Sequence, residues 1–429
     1  MKFNLKNIRY ISTRELKEFL LFYWLIQVII LSIAKYFLVR VGLGTGFYRN
    51  LILVVLSSFP IFGVLFNIKY IEKEPLYLFM ILIFIIVSSV LVTIIIYPDY
   101  KYFLFREDYG LIRVLSPDKA VFAFLFFIIN DNVKSIYKIL KKFAPIYFLY
   151  LLVFSLLPAL ISGHWVDVDY SGAQVERNYS LTFGYSVAFV AILNIYFYFK
   201  EKKFYYLFLF LFAYYLIFTE GSRGSLILPL IFIILYLISG IISSDNSKYK
   251  IIKISFLFIS IFLLWLYGEV LIKNLAELLS NFGIKSRNIE RIMLGEFSGD
   301  TGRYTIWKAV IKGIKRNPIS GLGFFGDRPL VFPYHYAAYS HNIFLELISN
   351  FGLFGVFYSI ILVMISIYMI LFSKDANWRE LFIVFFSVSL QLILSYSYWY
   401  VFEFWAALAI ALRYILLNKN WKYRRLYEI

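Results

Sequence analysis

Of the 429 residues, 61% are apolar, well above the roughly 45–50% of soluble globular chains even when glycine is counted. Charged residues fall to 16% and gather between apolar runs long enough to cross a bilayer core of about 30 Å, which excludes a soluble enzyme. The 43 Lys and Arg against 26 Asp and Glu give a net charge of +17, yet the basic residues sit at alternate connections, as cytoplasmic loops require, so nucleic acid is not implied as a partner.

Twelve spans are predicted, at 19–39, 51–66, 76–97, 119–131, 143–162, 181–199, 204–219, 225–242, 253–268, 343–373, 381–398 and 401–417. The fold class is therefore an all-α polytopic membrane protein, one integral domain embedded in the lipid bilayer. Phe19 to Ala34 is too long for a typical signal-peptide core and no small-x-small site follows it, so the first span is expected to stay in the membrane. The stretch 119–131 is short for a crossing, and a re-entrant segment is the alternative reading. The charge pattern nevertheless needs it, because without it Lys134, Lys138, Lys141 and Lys142 move to the other side.

With twelve spans, seven basic clusters share one side: Lys2 to Lys17, Lys69 and Lys73, Lys134 to Lys142, Lys200 to Lys203, Lys248 to Lys253, Lys374 and Arg379, and Lys419 to Arg425. Both termini are then cytoplasmic. The opposite side receives Gly163 to Ser180, the tight turn Glu220 to Ser225, and a large loop at 269–341 between spans nine and ten. That loop contains helical stretches, since Leu271 to Phe282 is amphipathic and Arg303 to Arg316 places Arg303, Trp307, Val310 and Ile314 on one face. Asn317-Pro318 and Gly321, Gly323 and Gly326 mark the irregular chain that follows.

Chemistry-bearing residues concentrate on that side. His341 precedes the long apolar run from Ile343, so a helix N-terminus disfavours its imidazolium and keeps it able to accept a proton; the competing reading is a polar marker of the membrane interface. Arg223, in Glu220-Gly221-Ser222-Arg223-Gly224-Ser225, combines exposed backbone N–H groups, a helix start and a guanidinium, the ingredients of a phosphate site; the alternative is an arginine snorkelling to the interface. Arg303 shares the apolar face of its helix and so needs a carboxylate or a bound anion, whereas Lys308, Lys312, Lys315 and Arg316 suit lipid phosphates. Arg177 is a further anion ligand. Asp167-Val168-Asp169 resembles an acid-x-acid metal pair, but no further oxygen ligand is evident nearby and a solvated loop explains it as well. Tyr334, Tyr336 and Tyr339 offer faces on which a sugar can stack. The chain has no cysteine, so thiol chemistry and Cys-ligated metals are excluded.

Three pieces together resemble the O-antigen polymerase and O-antigen ligase superfamily of bacterial inner-membrane glycosyltransferases. They are Arg303-Tyr304-Thr305-Ile306-Trp307 with the Asn317-Pro318-Ile319-Ser320-Gly321-Leu322-Gly323 run, His341-Asn342 followed after nine residues by Gly352-Leu353-Phe354-Gly355, and the Gly221-Ser222-Arg223-Gly224 turn. Twelve spans with one long external loop late in the chain fit the same family. The Gly163 to Ser180 connection departs from it, since the Gly-Asn-x-Asn segment that follows an arginine in many members does not align there, which leaves the role of Arg177 open.

The resemblance implies periplasmic transfer of a glycan from undecaprenyl pyrophosphate to an acceptor hydroxyl, without metal or other cofactor, and a chain-length regulator as a partner. Arg223 and Arg303 are expected to hold the departing pyrophosphate and His341 to act as the base, with Arg177, Asn342, Glu346, Trp307 and Tyr339 binding substrate. For Glu346 the duller reading is an interfacial carboxylate. A polymerase extending a lipid-linked repeat is favoured over a ligase acting on lipid A core. A lipid-linked oligosaccharide flippase predicts two comparable halves and charged residues at mid-membrane depth, and neither is visible in the sequence.

Overall fold

The computed structural model describes residues 12–43, 45–168, 172–242 and 302–427, and of 266–294 all but 269, 271, 272, 275, 279, 284 and 285. Residues 253–265 of the expected span at 253–268, and the Lys248 to Lys253 cluster, lie outside the described residues. Helices dominate, as the composition requires: α1 Thr13–Arg40, α2 Phe47–Phe66, α3 Lys73–Ile96, α4 Phe122–Ile128 and α5 Val133–Leu151 come first. A π-helical segment, Leu152–Leu156, and Leu157–Ser162 carry α5 on. Then follow α6 Leu181–Glu201, α7 Phe204–Glu220, α8 Arg223–Ile242, α9 Arg287–Met293, α10 Arg303–Arg316, α11 Ile343–Phe351, α12 Leu353–Ile367, α13 Ala376–Ser389 and α14 Phe402–Tyr427. Among the described residues seven helices are long and apolar enough to cross a membrane, namely α1, α2, α3, extended α5, α6, α8 and Leu353–Phe372.

Charge contacts sort the helix ends onto two faces. Lys17 pairs with Asp131 at 3.2 Å, Arg413 with Glu72 at 2.6 Å and with Asp131 at 3.6 Å, and Arg14 donates to Ser135 at 2.8 Å. Lys141 pairs with Glu201 at 2.6 Å, and Lys200 with Glu380. These contacts tie the starts of α1, α3, α5, α7 and α13, the end of α6 and the later half of α14 to one face, hereafter the basic face. The basic clusters grouped by the sequence are thus brought together wherever they are described.

Two expected spans differ from the sequence reading. At 119–131 the chain forms only the seven-residue α4, about 10 Å long, too short to cross. It is walled in by protein, with Ala123, Phe126, Phe127 and Ile128 wholly inaccessible, so the irregular backbone around it is never offered to lipid. The chain still passes between the faces, because Tyr109 accepts a hydrogen bond from Tyr400 on one side while Asn130 reaches the Lys17 carbonyl on the other. The run 343–373 breaks at Gly352 into α11 and α12. The cause is a backbone-to-backbone contact: a Cβ on Gly352 would lie 2.2 Å from the Ile319 carbonyl oxygen, and one on Gly321 would lie 2.5 Å from the Gly352 nitrogen. Leu322 and Gly323 donate to the carbonyls of Ser349 and Asn350, and Leu353 donates to Ile319. The Asn-Pro-Ile-Ser-Gly-Leu-Gly run and the Gly-Leu-Phe-Gly run are therefore one structural unit.

Gly163 to Ser180 is no simple loop. Trp165–Val168 and Gln174–Arg177 pair antiparallel as β1 and β2, with Trp165 opposite Arg177. The alternating valines Val166, Val168 and Val175 favour that pairing, and Gly172, at φ 94°, lies in the connection between the strands.

Candidate active site

The polar face opposite the basic one is built around the residues that precede α11. Asn342 caps that helix, its side-chain oxygen accepting from the Phe344 and Leu345 amides at 3.0 and 3.1 Å, while its amide group donates to the Ile393 carbonyl. Asn342 thus holds the helix start against 390–400. His341 stands immediately before this cap at φ 54°. Phe325, Ala338 and Tyr396 also have left-handed backbone, so four of the five described non-glycine residues with positive φ surround this one site. Such conformations cost of order 1–3 kcal/mol each and persist only where neighbours enforce them.

The enforcing contacts are visible. Trp307 on α10 donates its indole N–H to the Ser340 carbonyl at 3.0 Å, and Asp327 accepts from the Ser340 amide at 2.8 Å. His341 is only 8% exposed, its ring 4.5 Å from that of Tyr339 and 5.0 Å from that of His335. Burial first, then the charges of His335, Arg303 and Arg328, hold its pKa well below the ordinary histidine value. His341 is therefore neutral at pH 7, as the sequence led one to expect, but desolvation rather than the helix N-terminus is the leading cause. Its Nδ1 is buried with no hydrogen-bond partner among the described residues.

Arg303 opens α10 and donates to the Ser395 hydroxyl at 3.3 Å. Tyr185, on α6, packs its ring 5.6 Å from that of Tyr396, beside Ser395. The other flank of Tyr185 meets the Arg223 turn, since a Cβ at Gly224 would lie 2.3 Å from the Tyr185 hydroxyl. Gly184 and Gly221 approach so closely that a Cβ on the first would sit 2.9 Å from the Cα of the second. The glycines thus let α8 begin hard against α6, and the turn bearing Arg223 stands across Tyr185 from the partner of Arg303.

Arg177 forms an ion pair with Asp167 at 3.2 Å across the hairpin. The hairpin leans on the tyrosine loop, a Cβ on Gly172 meeting the Tyr336 ring at 2.8 Å. The charges of Asp167 and Arg177 both act on His335, whose pKa is lowered chiefly by burial. Asp167 is thereby committed to an arginine, Asp169 lies outside the described residues, and among the described residues no group of three His, Asp or Glu is arranged for a metal. Tyr339 is packed inside the protein, 5% exposed, whereas Tyr334 remains open to solvent.

Glu346 is not at an interface but fully buried, accepting from Ser397 at 2.5 Å and from Arg328 at 3.1 Å. Arg328, 1% exposed, also pairs with Asp327 at 3.2 Å and lies 4.6 Å from the centre of the Phe325 ring. Burial raises the pKa of Asp327 and lifts that of Glu346 to about 8. Sequence reasoning missed this trio, although Asp327-Arg328 directly after a glycine-rich run was a signal. It also missed Arg106, which donates to the Tyr336 carbonyl at 2.9 Å and lies 4.5 Å from the centre of that ring.

Residues 207–360 match the model of a family described as O-antigen ligase. The match takes in Arg223, Arg303, Trp307, Tyr339, His341, Asn342 and Glu346, and leaves Arg106 and Arg177 outside. No curated protein and no solved structure matches the chain.

Proposed function

We propose that this chain, a member of the O-antigen ligase and polymerase superfamily, is a polymerase that moves a growing glycan from undecaprenyl pyrophosphate onto a lipid-linked repeat unit. What supports the reading is that the Arg223 turn packs on Tyr185, that Arg303 donates to Ser395 beside it, and that His341 is near enough to Arg303 for that charge to act on it. The acceptor hydroxyl oxygen forms the new bond to the anomeric carbon as the bond from that carbon to the pyrophosphate oxygen breaks. The hydroxyl proton passes to His341, and the electron pair leaves with the pyrophosphate.

Charge grows on the leaving group, so fixed guanidinium groups there stabilise the transition state more than the ground state. Arg303 and Arg223 supply them, and no metal is needed. His341 is the base because burial keeps it unprotonated. Trp307 and Asn342 fix the backbone on either side of it, Glu346 acts through Arg328, and Arg177 and Tyr339 border the sugar-binding side. The polar face is periplasmic in this reading, both termini are cytoplasmic, the membrane is the bacterial inner membrane, and a chain-length regulator associates with the enzyme there.

The test is incubation of protein in lipid vesicles with its lipid-linked repeat alone. A ladder of longer lipid-linked products supports the polymerase. Transfer that occurs only when lipid A core is added makes the chain a ligase, and translocation without new glycosidic bonds makes it a transporter.

A further inference from the structure

A polar cavity lies on the basic face, remote from His341. It measures about 440 Å³ and is lined by Lys134, Lys138, Lys141, Lys200, Glu201 and Asn377, with Val133 and Tyr196 among the apolar residues of its wall. Residues 134, 138 and 141 fall on one stripe of α5 by helical spacing, and Lys200 comes from the last turn of α6. Two of the amines are fixed: Lys141 by Glu201 at 2.6 Å, and Lys200 by Glu380 and by Asn377 at 3.1 Å. Lys134 and Lys138 are exposed and make no side-chain hydrogen bond or ion pair among the described residues. Four positive charges therefore face one cavity whose lining holds a single carboxylate.

The placement also works against the helix that bears it. The first turn of α5 has no acidic residue, yet Lys134 and Lys138 occupy its first two turns, where the helix dipole repels cations. Solubility alone, or a topology signal alone, is served equally well by lysines in the preceding loop. A bound anion offsets both the dipole and the crowded amines. Basic pockets between the ends of membrane helices are suited to the phosphates of lipid headgroups in that leaflet, and this one lies between α5, α6 and α13.

We infer that this cavity binds a phosphate-bearing anion, and that its source is the headgroup of an anionic phospholipid. The experiment is native mass spectrometry of the full chain in detergent, titrated with phosphatidylglycerol, with cardiolipin and with phosphatidylcholine. A parallel arm measures thermal unfolding in lipid-free detergent with inorganic phosphate. Lys134→Gln/Lys138→Gln is compared with Lys69→Gln/Lys73→Gln, which removes the same charge elsewhere on the same face.

The expected result is retention of the anionic lipids over phosphatidylcholine, weakened roughly thirtyfold in the first variant, from about fivefold per lysine near an anionic headgroup, and unchanged in the second. If inorganic phosphate alone raises the unfolding temperature, and only the Lys134/Lys138 variant loses the effect, the site stands and its ligand is soluble phosphate. Equal weakening in both variants, or no preference for anionic lipid together with no response to phosphate, overturns the inference.

Discussion

Replacing Arg328 by Met tests whether the buried charges behind His341 hold the site together. The guanidinium contacts Asp327 at 3.2 Å, Glu346 at 3.1 Å and Ser397 at 3.1 Å, and all three partners are inaccessible to solvent. One positive charge faces two carboxyls, and Glu346, with its pKa near 8, is mostly protonated at pH 7. Burial raises the pKa of both carboxyls, and Asp327, which also accepts from the Ser340 amide at 2.8 Å, is the one whose charge Arg328 is placed to compensate. Without the arginine that carboxylate must take up a proton, and neutralising a carboxyl of reference pKa about 3.9 at pH 7 costs about 4 kcal/mol. The figure matches the roughly 3–5 kcal/mol lost when one member of a buried ion pair is deleted.

The pH dependence gives this loss a signature. In the variant the folded state binds a proton at Asp327 that the unfolded state releases above pH 4, so stability falls as pH rises, by about 1.4 kcal/mol per unit. Glu346 is protonated in both folded proteins near pH 5 and cancels there; toward pH 8 the loss of Arg328 holds it protonated in the variant and widens the gap further. Thermal unfolding followed by tryptophan fluorescence from pH 5 to 8 should show the variant about 5 °C or more below wild type at pH 7, with the gap narrowing toward pH 5. Asp327→Asn placed on top of Arg328→Met should recover most of the loss, since the amide oxygen still accepts from Ser340. A gap that is absent, or that does not change with pH, refutes the reasoning.

Lysine at Arg303 or at Arg223 keeps the charge but not the planar fork, so glycan transfer should fall about 10²-fold or more while the unfolding temperature stays within a degree or two; normal product ladders from either variant count against the pyrophosphate role. His341→Gln should lower transfer about 10²- to 10⁴-fold, and in wild type kcat/KM should stay flat from pH 8 down through 6.5, since the depressed histidine is already neutral there; an acid limb at or above pH 6.5 would remove it as the base. The same depression makes stability fall as pH drops below 6.5, because the unfolded chain then binds the proton that folded His341 refuses. Gly352→Ala forces a Cβ to within 2.2 Å of a carbonyl oxygen and should abolish folded protein, read by size-exclusion chromatography. Chelator should leave transfer intact; loss with EDTA and recovery with Mg²⁺ would transfer the role of the arginines to a metal.

What was legible in the sequence was whatever follows from solvent. Helical spans, their sidedness and the amphipathic α10 each report how a side chain partitions between lipid, protein and water, and periodicity records that. The place of Arg303 on the apolar stripe was readable for the same reason, but the partner the structure gives it is the Ser395 hydroxyl rather than a carboxylate. The shortness of 119–131 was readable, but its enclosure by protein and the break at Gly352 were not. Both arise because protein, rather than lipid, surrounds the segment: a run as apolar as Phe122 to Ile128 looks the same to hydropathy whether it crosses or is enclosed. The glycines of 321–323 and 352–355 were quoted as separate motifs, and nothing in one dimension says that their backbones touch. In the sequence Glu346 reads as a substrate-binding residue or an interfacial carboxylate, and its burial against Arg328 is not visible there, because Arg328 lies eighteen residues upstream across a loop with no period.

The site is then best understood as polar chemistry moved into protein interior. An exposed histidine beside two arginines would be screened by water and would gain little from them. Packed against Tyr339 and His335, His341 stays neutral chiefly because burial removes the water an imidazolium needs, with His335, Arg303 and Arg328 adding to it, and under the proposed function the same loss of water would strengthen each guanidinium toward a pyrophosphate. Enclosure has a structural cost, since left-handed residues and a two-carboxyl, one-arginine cluster are each unfavourable alone. The Gly321–Gly352 contact anchors the loop to α11 closely enough for both to persist. Under the proposed function, what sets His341's environment is then a backbone contact between two glycines as much as its own side chain.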